Sequence, residues 1–270
     1  MIERRGRSGS AWLEAGQGPP VLFLHGLGGT SLAWQPQLCG LADRFRCIAW
    51  DMPGYGRSPI DIIGDRPLSF PAISNAVETL MGDLDLDRID IVGLSFGGQQ
   101  ALHFALDHPD RIDRLILADT SASFGADGTD PEEWMRLRLD PLDRGLSPAD
   151  MAEGIIDGIT GPAFSGPIRR TLIESLAQIP AEGLRAAVTC LPHHDVSARL
   201  EEIAAETLVI VGQHDRETPV AYSRFLVAEM PNAELAVIPG VGHLSPSEDP
   251  ATFNHLVAEF LAPRSPGTVG

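Results

Sequence analysis

No run of about 18 consecutive apolar residues occurs in the 270-residue chain, which leaves no candidate for a membrane-spanning helix. Cysteine is scarce as well. Cys39, Cys47 and Cys190 are odd in number and widely spaced, which fits neither a disulfide framework nor a metal-binding repeat, so they read as reduced, mostly buried thiols. Basic side chains are in the minority, 20 against 37 acidic ones, for a formal charge of −17. Such a surface repels phosphate backbones and anionic lipid, so neither nucleic acid nor membrane is an expected partner, and an anionic small molecule would need a local cation. Residues 1–16 carry Arg4, Arg5 and Arg7 but lack the apolar stretch of a secretory signal, and a cytoplasmic location is the default expectation.

What is present is ordinary globular composition, 43% apolar and 21% charged, in a length that suits one large α/β domain carrying an insertion. Short apolar runs at 21–24, 47–50, 89–92, 115–118, 207–211 and 235–238 alternate with amphipathic or turn-rich segments, the βαβ rhythm of a parallel sheet covered on both faces. Residues 12–15 add an antiparallel edge strand. Between about 127 and 203 the strand runs stop and helical periodicity takes over, with helices predicted at 131–139, 148–159, 168–178 and 181–191. The chain therefore divides into a core of 1–126 and 204–270 and a helical cap of 127–203. Gly-Pro joints at Thr160-Gly161-Pro162 and Ser165-Gly166-Pro167 suit a cap set over a scaffold.

Gly93-Leu94-Ser95-Phe96-Gly97-Gly98 follows one apolar run and opens a helical segment reaching about Leu106. A serine on a sharp strand-to-helix turn needs small neighbours, which Gly93 and Gly97 supply, and its hydroxyl then stands beside a helix N-terminus that favours negative charge. His25-Gly26-Leu27-Gly28-Gly29 follows another run; its glycines let backbone approach a ligand, and the N–H groups of Leu27 and Phe96 are the candidate donors to an oxyanion. His25, just before that loop, reads as a structural hydrogen-bonding residue.

A serine hydroxyl is a weak nucleophile until an imidazole can take its proton. Of eight histidines, His243 in Gly240-Val241-Gly242-His243 sits best, after the run at 235–238 and before a helix at 251–261. His103, His108 and His255 fall in helices as surface or packing residues, and His193 and His194 lie in the cap, where they could touch only substrate. Asp215 ends the 207–211 run within Gly212-Gln213-His214-Asp215 and is the candidate acid that orients the imidazole, His214 being a loop residue; Asp119, after the 115–118 run, is the rival. The order Ser, Asp, His completes the pattern.

With Asp51-Met52-Pro53-Gly54-Tyr55-Gly56-Arg57-Ser58 added, these motifs make the chain resemble the α/β-hydrolase superfamily over nearly its whole length. The resemblance implies an eight-stranded, mostly parallel sheet with a helical cap inserted after the sixth strand. Within the superfamily the chain is similar to 3-oxoadipate enol-lactonases through Gly93-Leu94-Ser95, Asp119-Thr120-Ser121-Ala122, Pro131 to Trp134, and Gly242-His243-Leu244-Ser245 with Glu248 and Pro250. It departs from them at Phe96, where methionine is usual, and at Asp51-Met52-Pro53-Gly54, where a basic Asp-x-Arg-Gly form is usual.

The activity implied is hydrolysis of a small ester or lactone through an acyl-enzyme. Carbon–carbon cleavage of a vinylogous diketone by the same residues, and a low-turnover receptor, are the alternatives. Trp134, Arg138 and His194 are the candidate substrate-binding residues, with Arg136 and His193 as further polar groups of the cap. Serine rather than aspartate at position 95 argues against haloalkane dehalogenase chemistry. No cofactor or metal is implied, and the oligomeric state is left open.

Overall fold

The computed structural model describes residues 1–161 and 164–262; Pro162, in the first of the Gly-Pro joints, lies outside them. The apolar runs become strands because both faces of each are covered: β3 (Pro20–Leu24), β4 (Arg46–Asp51), β5 (Ile89–Leu94), β6 (Ile112–Ala118) and β7 (Glu206–Gly212) are buried along almost their whole length. β8 (Ala233–Ile238) closes one edge and is only half covered. At the other edge β2 (Ala11–Ala15) pairs antiparallel with β4 and with β1 (Ile2–Arg5). The sequence reading did not find β1: its residues Ile-Glu-Arg-Arg are exposed throughout, so it has no apolar pattern and is a strand only through its ladder to β2.

The eight strands run in the order β1-β2-β4-β3-β5-β6-β7-β8, parallel from β4 to β8. After β4 the chain crosses back over β3 to lay β5 on its far side. The carboxyl ends of β3 and β5 therefore lie side by side, and the ends of β6, β7 and β8 follow along the same rim. Open α/β sheets gather their ligands along such a rim.

Helices cover the sheet: α1 (Gln35–Gly40), α2 (Phe70–Asp83) and α3 (Phe96–Asp107) in the first half, then, after the insertion, α8 (Val220–Glu229), α9 (Ser245–Glu248) and α10 (Pro250–Phe260). Between β6 and β7 come α4 (Pro131–Asp143), α5 (Pro148–Ile159), α6 (Pro167–Ala177) and α7 (Ala181–Cys190). Asp130 caps α4, its carboxylate accepting the Glu133 N–H at 2.8 Å, and Ser147 with Asp150 closes a capping box on α5. α4 runs past its expected end at Leu139 and through Pro141. A proline there forfeits one N–H, and the following turn is still anchored by Arg144 N–H to Asp140 and Leu146 N–H to Pro141 carbonyls.

Apolar side chains of the inserted helices, Leu172, Leu176, Ala187 and Val188 among them, join the same buried cluster as Phe23, Ile91 and Leu117 of the sheet. Two of the three thiols, Cys47 and Cys190, are buried, and Cys39 is exposed. Among the described residues no helix is long and apolar enough to cross a membrane.

Candidate active site

Ser95 sits between β5 and α3 with φ 53° and ψ −117°, a backbone conformation that costs an L-residue about 1–3 kcal/mol. Its surroundings impose it. The Ser95 N–H donates to the Ala118 carbonyl at 2.8 Å, and the Thr120 hydroxyl donates to the Ser95 carbonyl at 2.8 Å. The glycines are demanded by contact: a Cβ on Gly93 would lie 2.4 Å from the Gly97 carbonyl oxygen, and one on Gly97 would lie 2.0 Å from that of Leu24. Both obstacles are backbone and cannot yield. Gly97→Ala is therefore expected to destabilise the protein by about 3 kcal/mol or more, lowering Tm by roughly 6–12 °C, and a Tm within about 2 °C of the wild type would contradict this packing.

The loop after β8 brings His243 over the serine. Nε2 of the imidazole lies 2.9 Å from Ser95 Oγ, while Nδ1 lies 2.9 Å from both carboxylate oxygens of Asp215. Asp215 is itself fixed: one oxygen accepts the N–H groups of Glu217 and Thr218, both at 2.9 Å, and the other accepts the Thr218 hydroxyl at 2.8 Å. Burial works against charge on the imidazole, but the Asp215 carboxylate, by its field and its hydrogen bond, outweighs burial and holds His243 above the ordinary 6.5. Asp119, the rival acid, has no hydrogen bond to the imidazole. Its two oxygens accept the N–H groups of Gly212 at 2.8 Å and Ser245 at 3.0 Å, so it ties the end of β7 to the loop that carries His243. Burial, with the charge of Asp215 behind it, pushes the Asp119 carboxyl up.

The loop 25–29 lies beside the serine, with Gly26 facing the Ser95 side chain. Its carbonyl at Leu27 accepts the Tyr55 hydroxyl at 3.0 Å, and the Leu27 and Phe96 N–H groups have no hydrogen-bond partner among the described residues. His25 is buried behind the loop, its Nδ1 2.9 Å from the Gly26 carbonyl and its Nε2 accepting the Met52 N–H at 3.2 Å. Asp51 accepts the N–H groups of Ser31 and Arg57 at 2.7 and 3.1 Å, which joins this loop to the 51–58 motif.

Above Ser95 and His243 a cavity of about 390 Å³ opens beneath α4, α5 and α6, within the range of small-molecule sites. Ile155, Ile156, Ile159 and Leu172 give it an apolar side, and Trp134, Arg138 and Glu217 a polar one. The Arg138 guanidinium lies 4.0 Å from the centre of the Trp134 ring and 3.8 Å from the Glu217 carboxylate. Arg136 points away, exposed and paired with Glu133 at 2.7 Å.

His194 does not line the cavity, contrary to the expectation from sequence. After α7 the chain turns through Leu191–His193, which leaves His193 exposed and drives the His194 ring inward behind the wall. There it lies 2.9 Å from the Ser121 carbonyl and 3.2 Å from His103, against the Phe70 ring. Burial holds His194 down to about 3 and His103 to about 4, so the pair is neutral and supplies no cation. Thr218, Thr120 and Glu248, none of them assigned a site role from sequence, hold Asp215, Ser95 and the His243 loop in turn. Of these, only Thr218 leaves a local signature, an Asp three residues before a Thr in a turn. Among the described residues no group of three or more His, Cys, Asp or Glu is placed to hold a metal ion.

Comparison with known proteins agrees with this architecture. A family model described as the alpha/beta hydrolase fold matches residues 19–163. The chain is 32% identical to 2-hydroxy-6-oxo-6-phenylhexa-2,4-dienoate hydrolase of Burkholderia cepacia over 92% of this chain and 90% of that one. It is 29% identical to 3-oxoadipate enol-lactonase 2 of Acinetobacter baylyi over 90% and 88% of the two chains. The crystal structure of a hydrolase from Pseudomonas aeruginosa superposes with a TM-score of 0.85 at 27% identity, covering 97% of this chain and 98% of that one. With an eight-stranded sheet, a strained serine between β5 and the next helix, and these relatives, the chain belongs to the alpha/beta hydrolase fold family.

Proposed function

We propose that the protein is a serine hydrolase that cleaves a small ester or lactone through an acyl-enzyme, with Ser95 as nucleophile, His243 as base and Asp215 as the acid that orients the base. The observation that carries this reading is the continuous relay at the cavity floor, Asp215 to His243 to Ser95, with 2.9 Å at each junction. As Oγ attacks the carbonyl carbon, Nε2 takes the hydroxyl proton and the carbonyl π electrons move onto oxygen. The N–H groups of Leu27 and Phe96 receive that oxyanion. The imidazolium, stabilised by Asp215, returns its proton to the leaving oxygen as the C–O bond breaks; in a lactone that oxygen stays tethered to the acyl chain. Water then repeats the sequence and releases the acid.

The segment 127–203 acts as a cap in this reading. Its apolar side, at Ile155, Ile156 and Leu172, takes the hydrocarbon part of the substrate, and Trp134 with Arg138 takes the polar end. The Arg138 to Glu217 distance, 3.8 Å, is too long for a hydrogen bond, which leaves guanidinium donors for a substrate carbonyl or carboxylate, as an enol-lactonase-like substrate would present. The 32% relationship to a dienoate hydrolase favours a second reading, carbon–carbon cleavage of a ketonised vinylogous diketone by the same side chains.

One experiment tests both. Fluorophosphonate labelling should add one phosphonyl group at Ser95, and a panel of aryl esters, lactones and vinylogous diketones should show the highest kcat/KM among the esters or lactones. A preference of about a hundredfold for the diketones would replace the first reading with the second. An unlabelled, inactive protein would remove both.

A further inference from the structure

The loop that carries His243 is tied down amide by amide, and its ties lead to an unexpected place. The Gly242 and Leu244 N–H groups, on either side of the histidine, both donate to the Glu248 carboxylate at 3.1 Å. The His243 N–H donates to the Ile159 carbonyl at 3.1 Å, and the Ser245 N–H to Asp119 at 3.0 Å. Four successive amides are thus held by groups outside the loop itself. The oxygen of Glu248 that holds Gly242 also accepts the Gly161 N–H, at 2.7 Å. Ile159 ends α5 and Gly161 lies just beyond it, so three of the five bonds gathered here attach to Glu248 and two reach the joint between α5 and α6.

The packing leaves this clamp no slack. A Cβ on Gly161 would lie 2.9 Å from the Glu248 oxygen, and one on Gly242 would lie 2.9 Å from the Gly161 nitrogen and 3.0 Å from the other Glu248 oxygen. Three N–H donors also specify the acceptor. A carboxylate can face all three, whereas a glutamine in the same place would turn an NH₂ toward at least one of them.

We propose that Glu248 is a positioning residue: it sets the place of His243 over Ser95 and passes to the imidazole the position of the joint after α5. The proposal rests on the reading of His243 as base. It assigns to the cap a second task besides enclosing substrate, since a shift of the 159–161 segment would draw the base with it. A displacement of about 1 Å in such a group can cost about a hundredfold in rate.

The test uses the full-length protein and the variants Glu248→Gln, Glu248→Ala and Gly161→Ala, each studied well below its own Tm. Two quantities are read: the rate of Ser95 phosphonylation by a fluorophosphonate, and the downfield proton resonance of His243 Nδ1–H, identified by its loss in His243→Gln. Expected are a rate lowered about tenfold in Glu248→Gln and about a hundredfold in Glu248→Ala and Gly161→Ala, with the resonance shifted or broadened in all three and ester KM within about threefold of wild type. Variants that melt earlier but keep the wild-type labelling rate and resonance would show Glu248 to be a fold-stabilising residue alone and overturn the proposal. If Glu248→Ala does not fold, Glu248→Gln and Gly161→Ala decide it. If the wild type itself is not labelled, the reading of Ser95 as nucleophile fails, and the resonance still decides whether Glu248 and the joint place the imidazole.

Discussion

Ser95→Ala is expected to lower kcat by about 10⁵- to 10⁶-fold on any ester the wild type hydrolyses, leaving KM within a few-fold. In the proposed mechanism the side chain removed is the one that forms the covalent bond, and nothing adjacent can substitute for it. The Leu27 and Phe96 N–H groups and the cavity remain, so a residual rate above that of free solution is expected from carbonyl polarisation alone. Ser95→Ala combined with His243→Ala should be no slower than Ser95→Ala, because an imidazole with no hydroxyl to deprotonate contributes little. The fold should tolerate the change: alanine brings the same Cβ to the φ 53° backbone that serine already strains. Ser95→Gly, equally inactive, should be more stable by about 1 kcal/mol, since glycine adopts that conformation without strain. Steady-state kinetics with thermal denaturation measures both effects, and a loss of only tenfold in Ser95→Ala would remove Ser95 as nucleophile.

How much of this could be read from the sequence depends on what each residue answers to. β3, β5, β6 and β7 were legible because burial on both faces writes a near-continuous apolar run, broken within 89–92 only by Asp90, which pairs with Arg114. β1 was not, because an exposed edge strand has no burial to record. Ser95 was legible through Gly93 and Gly97, whose missing side chains are required by backbone carbonyls 2.4 and 2.0 Å from where a Cβ would stand. His243 and Asp215 could be named as partners of Ser95 because each follows an apolar run and so belongs on the ligand rim of the sheet, where the structure brings the three together. The two adjacent histidines of the cap show the limit. Which of His193 and His194 turns inward depends on the phase of a single turn after α7, and no periodicity extends far enough to fix that phase. Glu248 was visible as part of the motif after His243, but its role was not, because its partners are main-chain amides of residues 161, 242 and 244, and main-chain donors look alike in every sequence.

The two carboxylates at the strand ends, alike in their position after a strand, should separate by substitution. Asp215→Asn is expected to reduce kcat/KM by about 10⁴-fold. One oxygen of Asp215 accepts two main-chain N–H groups and will remain an oxygen in the amide, which places the NH₂ where the other oxygen met the Thr218 hydroxyl and His243. The hydroxyl can turn to accept. The imidazole, equally near both positions, loses the charge that stabilises its protonated form, and in the tautomer that accepts the new NH₂ at Nδ1 it carries its proton on Nε2, facing Ser95 with a donor where an acceptor is needed. The pH profile should move as well. In the proposed mechanism His243 works only when neutral, and Asp215 holds its pKa above 6.5, so activity is expected to fall as pH drops through a value higher than 6.5. Without the carboxylate, burial dominates and lowers the imidazole pKa, so the residual activity of the variant should persist to lower pH. Asp119→Asn should cost about tenfold, far less than Asp215→Asn, because neither oxygen of Asp119 touches the imidazole and the loss is confined to the NH₂ that must face the Gly212 or Ser245 N–H. A larger loss in Asp119→Asn than in Asp215→Asn would exchange their roles, and an acid limb left in place by Asp215→Asn would mean that the titrating group is not His243.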